Sequence, residues 1–365
     1  MKATSGFHHI TMVSSDAART VRFYRDHLGV GLVKRTVNYD DPGSYHLYFG
    51  DEQGTPGTLL TFFEWPGASR GHFGAGGIHH LALGVETPEA QLKWKRWLQD
   101  RGIPVTGPYD RGWFRSIYFE DPDGQILEIA TKGPGYDVDE PADALGREVV
   151  IPQTAELRGA RDDAAIDARS WPEPVDGIGP DMRLDGIHHI TGITYDVGEV
   201  GEFYEAALGL RLVKRSVNQD DPSTPHWFWA SYDGRTVAPR SSLTMFGAWA
   251  AGGVVKPGRP RRPREGAGQT HHIAFRAEDD DHQAEILENL RGLGVATSQV
   301  LDRSYFRSIY FRAPDGLLME VATDGPGFAV DEKPGRLGEQ LVLPRWLEDR
   351  REELSSRLAA LPEAL

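Results

Sequence analysis

RSYFRSIYFRAPDGLLMEVATDGPGF, residues 303–328, is the stretch on which the fold turns. It divides into two β runs, Ser308 to Arg312 and Leu317 to Thr323, around Pro314-Asp315-Gly316. That tripeptide suits a three-residue hairpin loop, a type I turn followed by a left-handed Gly316 as a bulge. Ala313 then pairs with Leu317, and Tyr310 falls opposite Glu320 with both side chains on one face. Glu320 stands between Met319 and Val321, and an acid in so apolar a strand is costly unless something pairs with it. The plain alternative is an edge-strand glutamate turned to water.

The stretch occurs twice. RGWFRSIYFEDPDGQILEIATKGPGY at 111–136 precedes it by 192 residues. The match continues through DVDE (137–140) and AVDE (329–332) to LGREVVIP (145–152) and LGEQLVLP (337–344). HHLAL at 79–83 returns as HHIAF at 271–275 at the same displacement. HHIT at 8–11 returns at 188–191, and LVKRTVNYDDP at 32–42 returns as LVKRSVNQDDP at 212–222, both displaced by 180. The second copy therefore carries 12 extra residues between about 223 and 270. The basic run KPGRPRRPRE at 256–265 lies there and reads as a solvated loop, not a binding arm.

Each copy is doubled again: a His-His strand, a helix, then strands, twice over. In the first unit Asp16 caps a helix carrying Ala17, Val21, Tyr24 and Leu28 at helical spacing, and Gly29 ends it. YHLYF (45–49) and TLLTFF (58–63) follow as strands. In the second, Thr87-Pro88 opens a helix with Leu92, Trp97 and Leu98 inward, and Gly102 closes it. The expected fold class is α+β, four βαβββ modules forming two paired-module half-barrel domains. The expected boundaries are 1–152 and 186–344, with a linker at 153–185. A polar helix from Arg345 to Leu361 occupies the C-terminal segment 345–365.

Composition narrows the chemistry. The 365 residues are enough for two or more domains with buried cores. There is no cysteine, so a metal must be held by histidine and carboxylate. The net charge of −14 argues against nucleic acid as a partner. No apolar run is long enough to span a membrane. MKATSGFHHITMV has no secretory core, so a cytoplasmic location is expected.

Four strands begin with paired histidines: His8-His9, His79-His80, His188-His189 and His271-His272. Neighbours on a strand face opposite ways, so one of each pair can line a given site. A lone strand histidine is ordinarily a core or surface residue. Four pairs at equivalent places, with a glutamate 48 residues beyond His80 and His272 (Glu128 and Glu320), point to ligation. The other two modules have no carboxylate at that place, and Glu64 lies just beyond it. Each site then receives two histidines and one glutamate. That set leaves positions open on an octahedral metal and suits non-haem Fe(II) with O₂, whereas a closed zinc site wants four ligands.

These residues resemble the vicinal oxygen chelate superfamily (glyoxalase, bleomycin resistance and extradiol dioxygenase proteins). HHIT, LVKRTVNYDDPGSYHLYFGDEQGTPGTLLTFF, HHIAFRA, DRSYFRSIYFRAPDG and MEVATDGPGF resemble, more narrowly, its hydroquinone-type ring-cleaving dioxygenases. The resemblance spans nearly the whole chain except the linker and the basic loop. It implies a metal at His9, His272 and Glu320, with His8, Thr11, Arg303 and Tyr310 around it. It implies Fe(II), with Mn, Zn or Ni as alternatives, and a small dihydroxylated aromatic and O₂ as reactants. His8 or His271 would move protons, Tyr310 would donate a hydrogen bond and Arg303 would stabilise negative charge. The chain departs from the pattern in keeping His80, Glu128 and His189, with Arg111, Tyr118 and His188 beside them, as a possible second site. Pairing of modules in chain order would instead give His9/His80/Glu128 and His189/His272/Glu320, and the sequence leaves this open. A metal-dependent isomerase or lyase of the same fold, and a binding protein without turnover, are the rival readings. Homo-oligomerisation is also left open.

Overall fold

The computed structural model describes residues 2–231, 241–247 and 261–362. Module one is β1 (Phe7–Ser14), α1 (Ala17–Arg22), β2 (Gly31–Val37), β3 (Tyr45–Gly50) and β4 (Leu59–Glu64). Module two is β5 (Gly77–Val85), α2 (Pro88–Gln99), β6 (Thr106–Asp110), β7 (Arg115–Glu120) and β8 (Ile126–Thr131). A short α3 (Asp163–Ala168) follows in the connecting segment. Module three is β9 (Ile187–Thr194), α4 (Val197–Leu208), β10 (Arg211–Asn218), β11 (Asp221–Ala230) and β12 (Ser242–Gly247). Module four is β13 (Thr270–Ala277), α5 (Asp280–Gly292), β14 (Leu301–Asp302), β15 (Arg307–Arg312) and β16 (Leu318–Thr323), and α6 (Arg351–Arg357) comes last. The fold is α+β, and its strands form two curled eight-stranded sheets.

Sheet order answers the open question of pairing. One sheet runs β14-β15-β16-β13-β1-β4-β3-β2 and the other β10-β11-β12-β9-β5-β8-β7-β6. Module one thus joins module four through β1 and β13, and module two joins module three through β5 and β9. The stretches 1–152 and 186–344 are successive lengths of chain, each contributing one module to each sheet. The triads that chain-order pairing would give are not assembled.

The hairpin reading holds in detail. Tyr310 pairs with Glu320, the Ala313 N–H donates to the Leu317 carbonyl at 3.0 Å, and Gly316 has φ 97°, where a side chain would be strained. β16 lies between β15 and β13, so Glu320 is not on an edge, and it is fully buried. Asp16 and Thr87 cap their helices as expected. Module one's helix loosens into a π-turn over Phe23–His27, which still buries Tyr24 and ends before Gly29. In α2, Leu92 is only half-buried, and Trp94 takes the inward place, its indole N–H donating to the Met182 carbonyl at 2.7 Å.

The repeated LVKR and VDE motifs find their reason here. Lys34 on β2 is fully buried and pairs with Asp331 (2.5 Å) and Glu332 (2.6 Å), beyond the end of module four. Lys214 on β10 does the same with Asp139 and Glu140, beyond module two. Each clamp ties the tail of one module to its sheet partner, and a lysine so buried requires both acids.

The connecting segment is anchored rather than loose. The Asp167 carbonyl accepts from Lys95 Nζ at 2.7 Å, and Asp167 Oδ1 accepts from the Gly107 N–H at 2.8 Å. The expected C-terminal helix is shorter than its sequence suggests. Arg345–Arg350 form a 3₁₀ turn after Pro344, and only Arg351–Arg357 are α-helical. Leu358 turns extended, and the Ala359 carbonyl accepts from the Tyr45 hydroxyl at 2.8 Å. The first half of the basic run at 256–265 lies outside the described residues, which resume at Arg261.

Two candidate metal centres

β-Register converges the ligand set. On β1 and β13, His9 stands opposite Ala274 and Thr11 opposite His272, so all four share one face. Ala274 also neighbours Glu320 on β16. Because Ala274 is small, His9 and Glu320 lean over it toward one point. The Nε2 atoms of His9 and His272 lie 3.4 Å apart, and they stand 3.3 and 2.9 Å from Glu320 Oε2. The second sheet repeats this around Ala82. There the Nε2 atoms of His80 and His189 are 3.4 Å apart, and 3.1 and 3.4 Å from Glu128 Oε2. All six residues are buried.

The donor chemistry fits a divalent cation at both places. Glu320 Oε2 and both Glu128 oxygens are buried with no hydrogen-bond donor, a state that costs several kcal/mol unless something cationic faces them. The glutamates nevertheless favour the charged form. Burial opposes it, but His9 and His272 hold Glu320 well below the usual range, as His189 and His80 hold Glu128. Burial pushes His80 and His272 down, toward the neutral imidazole a metal needs.

The partner histidine of each pair fixes the ligand's tautomer. His8 Nδ1 lies 2.9 Å from His9 Nδ1, and the corresponding distance is 2.8 Å in each of the other three pairs. A proton shared there leaves the ligand's Nε2 lone pair free to face the centre. Burial, followed by His9, lowers His8 to about 3, and burial lowers His271 to about 4. His8 is buried, and its ring packs against His9 and Phe306.

Tyr310 and Arg303 stand together beside the first centre, with the guanidinium 5.2 Å from the ring centroid. At the second, Arg111 Nη2 donates to the Tyr118 hydroxyl at 2.9 Å. Thr11 Oγ1 lies 2.9 Å from His272 Nε2 and 2.8 Å from Thr61 Oγ1. Trp113 and Phe228 are buried and line the cavity at the second centre, while Trp229 is core and Trp227 is half-buried.

Two histidines escaped the sequence reading. His46 Nε2 lies 3.3 Å from Thr61 Oγ1, and His226 Nε2 lies 2.9 Å from Thr244 Oγ1. Burial and the ligand histidines hold both well below the usual range. Their signal was present: YHLYF and PHWFW place a histidine at the same 180-residue displacement as HHIT. Ser308 was also missed; its hydroxyl donates to Glu320 Oε1.

A cavity of about 540 Å³ opens onto the second centre. His80, His189, Arg111, Tyr118 and His226 reach it between walls of Trp113, Phe114, Phe228 and Phe246. No described helix is long and apolar enough to cross a membrane.

The family model described as Glyoxalase/Bleomycin resistance protein/Dioxygenase superfamily matches residues 6–129 and 186–321. MhqO of Bacillus subtilis, named as a ring-cleaving dioxygenase, is 32% identical over 98% of this chain and 96% of its own length. The chlorohydroquinone/hydroquinone 1,2-dioxygenase of Sphingobium indicum is 29% identical over 96% of this chain and 94% of its own. A solved Bacillus subtilis structure, also named as a dioxygenase, superposes with TM-score 0.76 at 30% identity, covering 100% of this chain and 99% of that one. Glyoxalase I of Zea mays shares the fold at TM-score 0.55 and 16% identity, over 87% and 92% of the two chains. With matches in both halves and relatives aligned end to end, the chain belongs to the Glyoxalase/Bleomycin resistance protein/Dioxygenase superfamily.

Proposed function

We propose that this protein is a ring-cleaving dioxygenase of hydroquinone- or catechol-type substrates, with Fe(II) held by His9, His272 and Glu320, and by His80, His189 and Glu128. The observation that carries the reading is the pair of buried two-histidine, one-glutamate sets whose carboxylate Oε2 has no donor. Three ligands leave room for a diol and O₂ on one cation. The iron would lower the pKa of the diol hydroxyl and hold both reactants at bonding distance. The relatives' names support the substrate class.

The chain's own groups then divide the work. Tyr310 and Tyr118 keep their protons, burial having pushed them well up, and donate from their hydroxyls to an oxygen of the reacting ring. Arg303 and Arg111 stand behind them and favour negative charge as it develops. His226, neutral and lining the cavity, takes the diol proton at a ring nitrogen, and His46 is its counterpart at the first centre. The aromatic walls exclude water and set the ring's plane. In balance, one ring carbon–carbon bond beside a hydroxylated carbon breaks and both atoms of O₂ enter the product. The ring supplies the electrons, so no outside reductant is needed.

Anaerobic loading with Fe(II), Mn(II), Zn(II) or Ni(II), followed by oxygen-electrode assays on hydroquinone and catechol, tests this. Oxygen uptake that follows iron content is expected. Turnover under argon would replace the proposal with an isomerase or lyase.

A further inference from the structure

We propose that the centre of modules two and three is a second active site whose substrate is a dihydroxylated ring bearing a further apolar group, about a second ring in size. The inference rests on the reading above that each two-histidine, one-glutamate set holds the metal. It goes beyond that reading in assigning turnover to the second centre and a larger substrate to it.

Room is the first argument. An apolar cavity of about 150 Å³ is enough to hold benzene. The cavity over His80, His189 and Glu128 is about 540 Å³, more than three times that, and in the range that takes ligands larger than one ring. A further recess of about 240 Å³ lies beside it, with Tyr109 and Gln219 lining both. A one-ring diol at the centre would leave most of this space to water against apolar walls, which is unfavourable.

The second argument is the way the two copies differ. The groups at the metal position are the same in kind. The outer residues are not: Gln219 replaces Tyr39, Phe228 replaces Tyr48, and Trp113 replaces Tyr305. All three exchanges remove a tyrosine hydroxyl, and the last extends an aromatic surface. Gln219 also does a task that Tyr39 does not. Its Oε1 accepts from Arg111 Nη1, and its Nε2 donates to the Asp110 carbonyl at 2.7 Å, which engages both ends of the amide. Tyr39 instead donates to Ser304 Oγ at 3.2 Å and lies edge-on to Trp346.

Among the described residues that line the cavity, Asp220 is paired with Arg161, and Arg111 turns its guanidinium to the Tyr118 hydroxyl and the Gln219 amide. The substituent that fits is therefore neutral and apolar, and an aryl group stacks on Trp113, Phe228 or Phe246.

The test uses full-length wild type, Glu128→Ala and Glu320→Ala, each loaded with Fe(II) anaerobically. Wild type is expected to hold two irons per chain and each variant one, read by elemental analysis. Phenylhydroquinone binding is measured under argon by calorimetry, and oxygen uptake with phenylhydroquinone and hydroquinone. Glu320→Ala should still bind and cleave phenylhydroquinone. Glu128→Ala should lose phenylhydroquinone turnover by at least about a hundredfold relative to hydroquinone, which the first centre still cleaves. Gln219→Tyr, which installs the residue of the other copy, should weaken phenylhydroquinone binding about tenfold. One iron per chain, lost with Glu320, would overturn the inference. So would a Glu320→Ala protein that keeps its iron but neither binds nor cleaves phenylhydroquinone. A wild type that consumes no oxygen with any diol sinks the dioxygenase reading instead, and the argon binding data still decide whether the second cavity takes the larger ring.

Discussion

At the centre of modules one and four, Glu320 Oε1 takes a hydrogen bond from Ser308, and His46 is held from both sides, by Thr61 and by the Tyr48 hydroxyl at 3.1 Å. At the centre of modules two and three, Glu128 Oε1 has no donor, and Phe228 stands where Tyr48 would be. The covering segments differ as well. Trp346 from the C-terminal segment packs on Tyr39, while the connecting segment covers the other side, with the Arg158 N–H donating to the Gln219 carbonyl at 2.9 Å. Yet the six inward His and Glu residues and the histidines paired with them are the same in kind and nearly the same in distance. Groups that must meet at one point admit few alternatives, whereas the walls that meet a substrate can vary.

The largest expected effect bears on the shared part. His272→Ala and His80→Ala should each remove the metal from their own centre alone, with activity there falling by at least about a thousandfold. Elemental analysis should show one metal lost per substitution. Loss of both with either variant would mean the centres are coupled and the comparison of independent sites fails. The clamps come next. Lys34→Met leaves Asp331 and Glu332 facing an apolar group, and should cost about 3 kcal/mol in denaturant unfolding, with Lys214→Met close to it. Both lysines also lie over aromatic rings, Tyr305 at 4.6 Å and Trp113 at 5.2 Å. A large inequality between the two variants would show that the two sheets do not share one clamp design.

Much of this was readable before any coordinates. Hairpin register placed Tyr310 beside Glu320 because Pro-Asp-Gly leaves little freedom in loop length. The repeat exposed the two His/His/Glu sets because both copies keep them. Module pairing was not readable, since β1 can in principle meet either β5 or β13 and nothing local distinguishes them. The clamp lysines were visible as a motif, but their acids lie nearly 300 residues away for Lys34, and 74 and 75 residues away for Lys214. His46 and His226 were passed over as members of apolar strands, because a single histidine between aromatics carries no local mark of its role. The C-terminal helix was overdrawn for the opposite reason. Its composition favours helix, but Pro344 and the Tyr45 contact at Ala359 limit what can form.

The serine beside each glutamate gives a sharper contrast. Ser308→Ala removes the donor to Glu320 Oε1 and should weaken metal binding at that centre by about tenfold or more, as changes just outside a ligand set do. Ser116→Ala has no such bond to break, and should change metal affinity at its own centre by less than about threefold. Competitive titration with a chelator resolves the two. Equal losses would mean that both serines support their carboxylates once metal is present.

The smallest effect is the most specific. Tyr48→Phe deletes one hydroxyl and gives the first centre the residue that the second has at this position. The His46 ring keeps Thr61 but loses its hold at Nδ1, a loss of about 1 kcal/mol for one hydrogen bond. Iron content should be unchanged, and turnover of hydroquinone at the first centre should fall by about fivefold. Phe228→Tyr should act in reverse on the second centre, bringing a hydroxyl toward His226 and disfavouring the larger ring. If the two exchanges leave both substrate profiles where they were, the tyrosine–phenylalanine difference is not what separates the sites. The burden then falls on position 39 against position 219, where the side chain that meets the substrate differs in shape as well as polarity.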